Sequence, residues 1–299
     1  MKYLFVSISF LIFISCKKND EGSLSMQGRD TETSIYISDD IIIDDRVKIR
    51  DTVFNYDTYE KFIIYLVNSN RFIFVPLNEF EKTNSSDKIV ISMRHDIDYD
   101  IASAVRFARR EYRHGVRATY FFLNTADYYS FIRNNSFIRV PSVLNYMTKI
   151  QNEYKHEIGW HNDLVTLQVV YDIDVKTYLS GELAFLRGKG INIYGTAFHG
   201  SAYCYEYQYL NSYIWSGAYK DYNFLNYDSV KVDGIYKKIN KFKISDFGFK
   251  YEASLLKSNY FFADVFFQSN KRWNMAMFDW NTLKPGDKVI ILTHSSFWD

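Results

Sequence analysis

A short apolar run followed by a cluster of ionisable side chains most constrains how this chain can fold. Residues 89–93 have the length and β-branched content of a buried strand. Arg94, His95, Asp96 and Asp98 then place four ionisable groups within five residues. Because charges removed from water must be paired or coordinated, such a cluster directly after a buried strand indicates a chemical site rather than packing alone.

The residues after this cluster have the pattern of a helix and a second strand. Apolar side chains recur at helical spacing between residues 101 and 112, and His114-Gly115 has the composition of a helix end. Residues 118–123 form the next apolar run. Strand, acidic loop, helix and strand make a βαβ unit, and such units carry their chemistry at the carboxyl ends of the strands.

The same alternation continues along the chain and predicts a mostly parallel sheet, either a barrel or a doubly wound layer. Further strands are predicted at residues 71–75, 157–160, 192–198, 260–267 and 288–293, and further helices from Asp57, from Pro141 and from Asp172 or Asp174. Successive strands end at Asp96 and Asp98, His161, His199 and His294. Since the carboxyl ends of parallel strands face one rim, we expect these side chains to converge.

Carboxylates and imidazoles around one opening suit a divalent metal ion, with zinc as the first candidate. Such an ion lowers the pKa of a bound water from about 16 to about 7 and so provides hydroxide at neutral pH. A neighbouring carboxylate can take a proton, and a histidine opposite can protonate a leaving group. The pattern therefore favours a metal-dependent hydrolase.

Three stretches of the sequence resemble the signature motifs of NodB-homology polysaccharide deacetylases. They are Arg94-His95-Asp96-Ile97-Asp98, His156-Glu157-Ile158-Gly159-Trp160-His161 and Leu292-Thr293-His294, and they occur in the order found in that family. The resemblance covers about residues 56–299. It implies a distorted (β/α) barrel that removes N- or O-acetyl groups from carbohydrates with the help of a metal ion.

The resemblance also implies roles for individual residues. By position, Asp96 is the general base, His294 the catalytic acid, and Asp98 and His161 are metal ligands. Ile97 separates the two aspartates, which are usually adjacent in the family, but alternate residues of an extended strand point to the same side. Val165 stands where the family has its second histidine ligand. We expect His199 to replace that ligand, with Asp163 behind it; the alternative is that His199 is a structural histidine at a strand end.

The remaining histidines and one tyrosine-rich stretch have structural interpretations. His156 and His95 are predicted to form structural hydrogen bonds, and His114 to lie at a helix end. Tyrosines alternate at positions 203, 205, 207 and 209. If this stretch is extended, one face carries four tyrosines, either packing a lid on the barrel or stacking against sugar rings.

The amino-terminal residues have the pattern of a bacterial lipoprotein signal. Lys2 is followed by about a dozen mostly apolar residues, too few for a transmembrane helix, and then by Ser15-Cys16. Phe13-Ile14-Ser15-Cys16 resembles a lipobox, although an ordinary signal peptide with a chance cysteine remains the alternative. We therefore expect a signal peptide at 1–15, a tether at 16–50 and a catalytic domain at 51–299, anchored to the cell envelope through lipid on Cys16.

Two further function classes compete with the deacetylase interpretation. Because Val165 removes an expected ligand, the same barrel could bind glycan at the cell surface without turnover. His95-Asp96 also matches part of an HD-type phosphohydrolase motif, but those ligands lie on helices and this pair follows a strand. A net charge of +1 provides no basic field for nucleic acid, so the expected partners are a carbohydrate and the membrane.

Overall fold

The computed structural model describes residues 55–133, 136–217, 228–265, 267–268, 271–272 and 275–298. The predicted signal peptide, tether and lipid attachment at Cys16 lie outside the described residues. The helices are α1 Tyr56–Asn68, α2 Leu77–Phe80, α3 Ile101–Arg113, α4 Val143–Thr148, α5 Leu164–Val169, α6 Val175–Gly188 and α7 Ala202–Glu206. No helix among the described residues is long and apolar enough to cross a bilayer.

The first strands of the described chain are β1 Phe72–Phe74, β2 Ile89–Ile97, β3 Thr119–Leu123, β4 Ser130–Arg133, β5 Ser136–Arg139, β6 Glu157–Asn162 and β7 Ile193–Phe198. They are followed by β8 Ser229–Val232, β9 Ile235–Lys238, β10 Tyr251–Glu252, β11 Tyr260–Ala263, β12 Phe267–Gln268, β13 Lys271–Arg272 and β14 Lys288–Thr293. The pairs β4–β5, β8–β9 and β12–β13 are small antiparallel hairpins.

One parallel sheet organises the domain. Its order is β10-β7-β6-β3-β2-β14-β11, with β1 beside the first half of β2. Every pairing in this sheet is parallel. The sheet curls into a half-barrel whose edges are β10 and β11. The predicted distorted (β/α) barrel with mostly parallel strands is confirmed.

The two faces of β2 carry different cores, because successive side chains of a strand alternate. Ile89, Ile91 and Met93 belong to the larger core, which the helices cover. Val90 belongs to a smaller core inside the half-barrel, with Phe121 of β3 and other inner side chains. By the same alternation, Arg94 and Asp96 project inside the half-barrel and His95 projects toward the helices.

Several element boundaries differ from the sequence prediction. Strand β2 runs to Ile97 instead of ending at Met93, because β3 and β14 continue to pair with it and because Arg94 and Asp96 neutralise each other inside the half-barrel. Strand β11 ends at Ala263 instead of reaching residue 267. The alternating tyrosines do not form an extended stretch, since residues 202–206 are the helix α7.

Other boundaries agree closely. Helix α1 begins one residue before the predicted start, and its N-cap is Asn55, whose side chain accepts a hydrogen bond from the Thr58 amide. Asp174 caps α6, and His114 is the C-cap of α3, as predicted. Cys204 is buried and forms no disulfide within the described chain.

Candidate metal centre

Four strand ends bring the predicted site residues to one rim of the sheet. Asp98 follows β2, His161 lies near the end of β6, and His199 follows β7. His294 follows β14, which pairs with β2 on the side opposite β3. The structure therefore brings together all the side chains that the sequence assigned to the site.

Asp98, His161 and His199 form a group that could hold a metal ion. Asp98 Oδ1 lies 3.2 Å from His161 Nε2 and 3.4 Å from His199 Nδ1, and one ligand atom from each residue lies within 4.8 Å of the others. Oδ1 is buried and accepts no hydrogen bond of good geometry from the described chain. Because a buried carboxylate oxygen needs a partner, this arrangement fits a cation between the three side chains.

Hydrogen bonds fix the ring of His161 and the main chain of His199. His161 Nδ1 lies 2.9 Å from the Ala197 carbonyl oxygen, a contact that makes Nδ1 the donor and leaves Nε2 as the ligand atom. The His199 amide donates to the Asn162 carbonyl at 2.8 Å. The His199 carbonyl in turn accepts from Asn211 Nδ2 at 2.9 Å.

Val165 takes no part in the centre. Its side chain is fully buried in the larger core, and its amide donates to Asn211 Oδ1 at 2.9 Å. Asp163 also does not act as a ligand in this structure, since its carboxylate accepts from Thr125, Thr166 and Asn211. Asp163 and Asn211 therefore support the loop that holds His199.

Asp96 is held by an arginine of its own strand. Arg94 donates to both carboxylate oxygens, from Nε at 2.8 Å and from Nη2 at 2.6 Å. Asp96 Oδ2 also lies 3.6 Å from His161 Nε2, at the border of the metal group. Burial raises the pKa of Asp96, but the charges of Arg94 and His161 lower it below its usual value, so the carboxylate is ionised at neutral pH.

His294 forms a dyad with Asp264. His294 Nδ1 lies 2.7 Å from Asp264 Oδ1, and the His294 amide donates to Oδ2 at 2.7 Å. His294 Nε2 faces the centre, 3.7 Å from Asp98 Oδ2. Burial lowers the pKa of His294, but Asp264 and Asp98 raise it to a net value of about 9. At neutral pH this imidazole is protonated and directs a proton toward the site.

Electrostatics couple the metal group to its neighbours. Burial raises the pKa of Asp98, but His199 and His294 bring it well below its usual range. Burial lowers the pKa of His199, but Asp98 raises it overall. The ionised carboxylate of Asp98 and the neighbouring imidazoles therefore stabilise each other's charged forms.

The sequence did not identify two of the residues around the centre. Asp264 was placed inside a predicted strand, although β11 ends at Ala263 and Asp264 is another acidic residue at a strand end. Arg94 belonged to the initial cluster but had no role. Its spacing of two residues from Asp96 along an extended strand was the signal for their contact.

The other histidines have structural roles. His95 lies between Thr293 Oγ1 at 2.6 Å and Glu111 Oε1 at 2.8 Å, on the helix side of β2. His156 accepts from the Ala118 amide and contacts the Ala108 carbonyl. His114 Nε2 lies 2.9 Å from Glu60 Oε1 near the surface. The predicted structural interpretation of all three is confirmed.

No protein-family model matches this chain, and no curated protein matches it either. The geometry of the centre and the residues around it therefore carry the functional argument.

Proposed function

We propose that this protein is a metal-dependent hydrolase that removes N- or O-acetyl groups from a carbohydrate. The observation that carries the proposal is the Asp98, His161 and His199 group, with an ionised Asp96 beside it and a protonated His294 facing it. A carboxylate and two imidazoles suit zinc, and three protein ligands are typical of catalytic zinc sites, which keep one position for water. The motif resemblance supports the acetylated carbohydrate as substrate.

The side chains around the centre divide the proton transfers between them. Asp98, His161 and His199 would hold the ion, which would acidify a bound water for use as the nucleophile. Asp96, fixed by Arg94 on the same strand, accepts a proton from that nucleophile. His294, oriented by Asp264, donates its Nε2 proton to the leaving nitrogen or oxygen. Asp96 lies 3.6 Å from His161 and His294 lies 3.7 Å from Asp98, so both groups lie beside the proposed metal site.

The proposal is tested by metal analysis and an acetate-release assay on the soluble form, residues 17–299. We expect about one zinc ion for each chain and release of acetate from N-acetylated chito-oligosaccharides. Asp96→Asn and His294→Ala should retain the metal and lose about 10²–10⁴-fold in turnover, the usual contribution of general acid or base catalysis. Equal turnover by both variants and the parent would refute the acid–base assignment.

The same experiment distinguishes the second function class. Binding of the oligosaccharides by the metal-loaded parent without release of acetate would favour a glycan-binding surface protein. His114→Ala is a suitable control, because His114 contacts Glu60 on the helix layer and no member of the centre. We propose the cell envelope as the location, on the basis of the lipobox-like residues around Cys16.

A further inference from the structure

The tyrosines around α7 separate into two groups. Tyr203 and Tyr207 are one helical turn apart and lie parallel, with ring centroids 6.3 Å apart and an interplanar angle of 2°. Tyr207 donates to Asp233 Oδ1 at 3.0 Å, at the turn between β8 and β9. Tyr205 lies on the opposite side of the helix, because two residues correspond to a rotation of about 200°.

Tyr205 is directed toward the metal centre. Its hydroxyl oxygen is 3.4 Å from the point that a Cβ of Gly200 would occupy, and Gly200 directly follows the proposed ligand His199. Burial raises the pKa of the Tyr205 phenol, with smaller contributions from Cys204 and from the charge of Asp98. The hydroxyl is therefore protonated at neutral pH and is available as a hydrogen-bond donor.

Tyr205 is accessible from solvent as well as close to the centre. The residue is 50% exposed, whereas its neighbour Cys204 is buried. Its hydroxyl makes no hydrogen bond to any other described residue, in contrast to Tyr207 and the buried Tyr209. An exposed ring with a protonated hydroxyl, next to a ligand residue, has the properties of a group that contacts a bound sugar.

We propose that Tyr205 is a substrate-contacting residue that hydrogen-bonds, through its hydroxyl, to the sugar ring that carries the acyl group. Gly200 leaves room for this contact, because any larger side chain there would lie against the Tyr205 hydroxyl. Tyr205 would therefore determine specificity for a carbohydrate over a simple acyl ester. This inference rests on the proposed deacetylase function.

The test compares two substrates in the zinc-loaded protein: N-acetylated chito-oligosaccharides, and p-nitrophenyl acetate, which has no sugar. Tyr205→Phe should lower kcat/KM for the oligosaccharides by about 3–10-fold, the value of one net hydrogen bond. It should leave the ester reaction and the zinc content unchanged. Tyr205→Ala should lower kcat/KM for the oligosaccharides at least as much.

Tyr112→Phe is the matched control. Tyr112 is 47% exposed, close to the value for Tyr205, but lies in the last turn of α3, which leads away from the rim. Oligosaccharide turnover by Tyr205→Phe within twofold of the parent would overturn this proposal and leave the deacetylase function standing. An equal loss on both substrates would also overturn it. Inactivity of the parent on the oligosaccharides would refute the proposed function and, with it, the role of Tyr205.

Discussion

His199 completes the metal group from a strand that neighbours the one that carries His161. Strands β6 and β7 are paired, so the end of β7 can supply a ligand when the first turn of α5 has Val165 instead. Asn211 connects these positions, since its side chain bonds both the Val165 amide and the His199 carbonyl. The third proposed ligand therefore depends on contacts between distant parts of the sequence.

Substitution of a proposed ligand should abolish tight metal binding. We expect Asp98→Asn, His161→Ala and His199→Ala each to weaken zinc binding by more than about 100-fold, because loss of outer-sphere partners alone costs about 10–100-fold. Isothermal titration with zinc measures the change, with circular dichroism to check folding. Parent-like affinity in a folded His199→Ala protein would remove His199 from the ligand set.

The Asp264–His294 dyad should determine the alkaline limit of activity. Burial lowers the pKa of His294, but Asp264 and Asp98 raise it to about 9. A cation at Asp98 cancels part of that effect, so we expect activity to fall with rising pH at a pKa between about 6.5 and about 9. Asp264→Asn should move this alkaline fall in activity to lower pH. An unchanged position of the fall would contradict the role of the dyad. The measurement is kcat against pH.

The elements show which parts of the fold follow from local sequence and which do not. The alternation of strands and helices predicted the parallel sheet and the common rim for Asp98, His161, His199 and His294. The predicted end of β2 was wrong. Charged residues favour the end of a buried strand locally, but pairing with β3 and β14 and the contact of Arg94 with Asp96 extend this one.

The tyrosine-rich stretch also shows that a local pattern can predict the wrong element. Alternating tyrosines favour an extended strand by local pattern. The chain instead forms α7, which buries Cys204 and places Tyr203 and Tyr207 on one face. Contacts with residues 26 or more positions away, such as that of Tyr207 with Asp233, stabilise this arrangement and are not visible in a local pattern.

Two glycines should respond in opposite directions to alanine. In β6, a Cβ at Gly159 would lie 2.3 Å from the Phe121 ring of β3, so Gly159→Ala forces the packed sheet to shift. We expect it to lower the free energy of unfolding by about 1–3 kcal/mol. In α6, a Cβ at Gly181 meets no atom within 4 Å, and Gly181→Ala should raise the free energy of unfolding by about 0.5–1 kcal/mol. Urea unfolding measures both, and equal values for the two variants would contradict the packing argument.

For the whole molecule, a buried glutamate at the other end of the sheet should make stability depend on pH. Glu157 accepts from Thr119 at 2.7 Å and from Tyr251 at 3.0 Å, at the start of β6. Burial is the largest effect on its pKa, which is raised to about 7 despite these hydrogen bonds. Since the folded pKa is above the unfolded value, the stabilising contribution is complete below about pH 4.5 and is lost as pH rises through about 7.

Glu157→Gln should therefore flatten the pH dependence of stability. We expect the free energy of unfolding of the parent to fall by roughly 3 kcal/mol from this group between about pH 4.5 and above pH 7. In the variant, the pH dependence that comes from Glu157 should be absent. The pH dependence that comes from Glu252 should remain, since burial also raises the pKa of Glu252 to about 7. Urea unfolding at a series of pH values measures the slope. Glu153→Gln, at an exposed position, is the control, and a slope in Glu157→Gln equal to that of the control would contradict the assignment.

The proposed location of the whole molecule depends on one residue outside the described structure. The lipobox-like Phe13-Ile14-Ser15-Cys16 predicts lipid on Cys16, and no helix in the described residues is long and apolar enough to cross a bilayer. Two acyl chains or one chain with a second signal are needed for stable membrane binding, so loss of the lipidated cysteine should release the protein.

We expect Cys16→Ala to move the protein from the detergent-soluble membrane fraction to the soluble fraction in a bacterial host. Cys204→Ala is the control, because that thiol is buried in the domain and should leave fractionation unchanged. Recovery of Cys16→Ala in the membrane fraction after a carbonate wash would show that another segment anchors the chain.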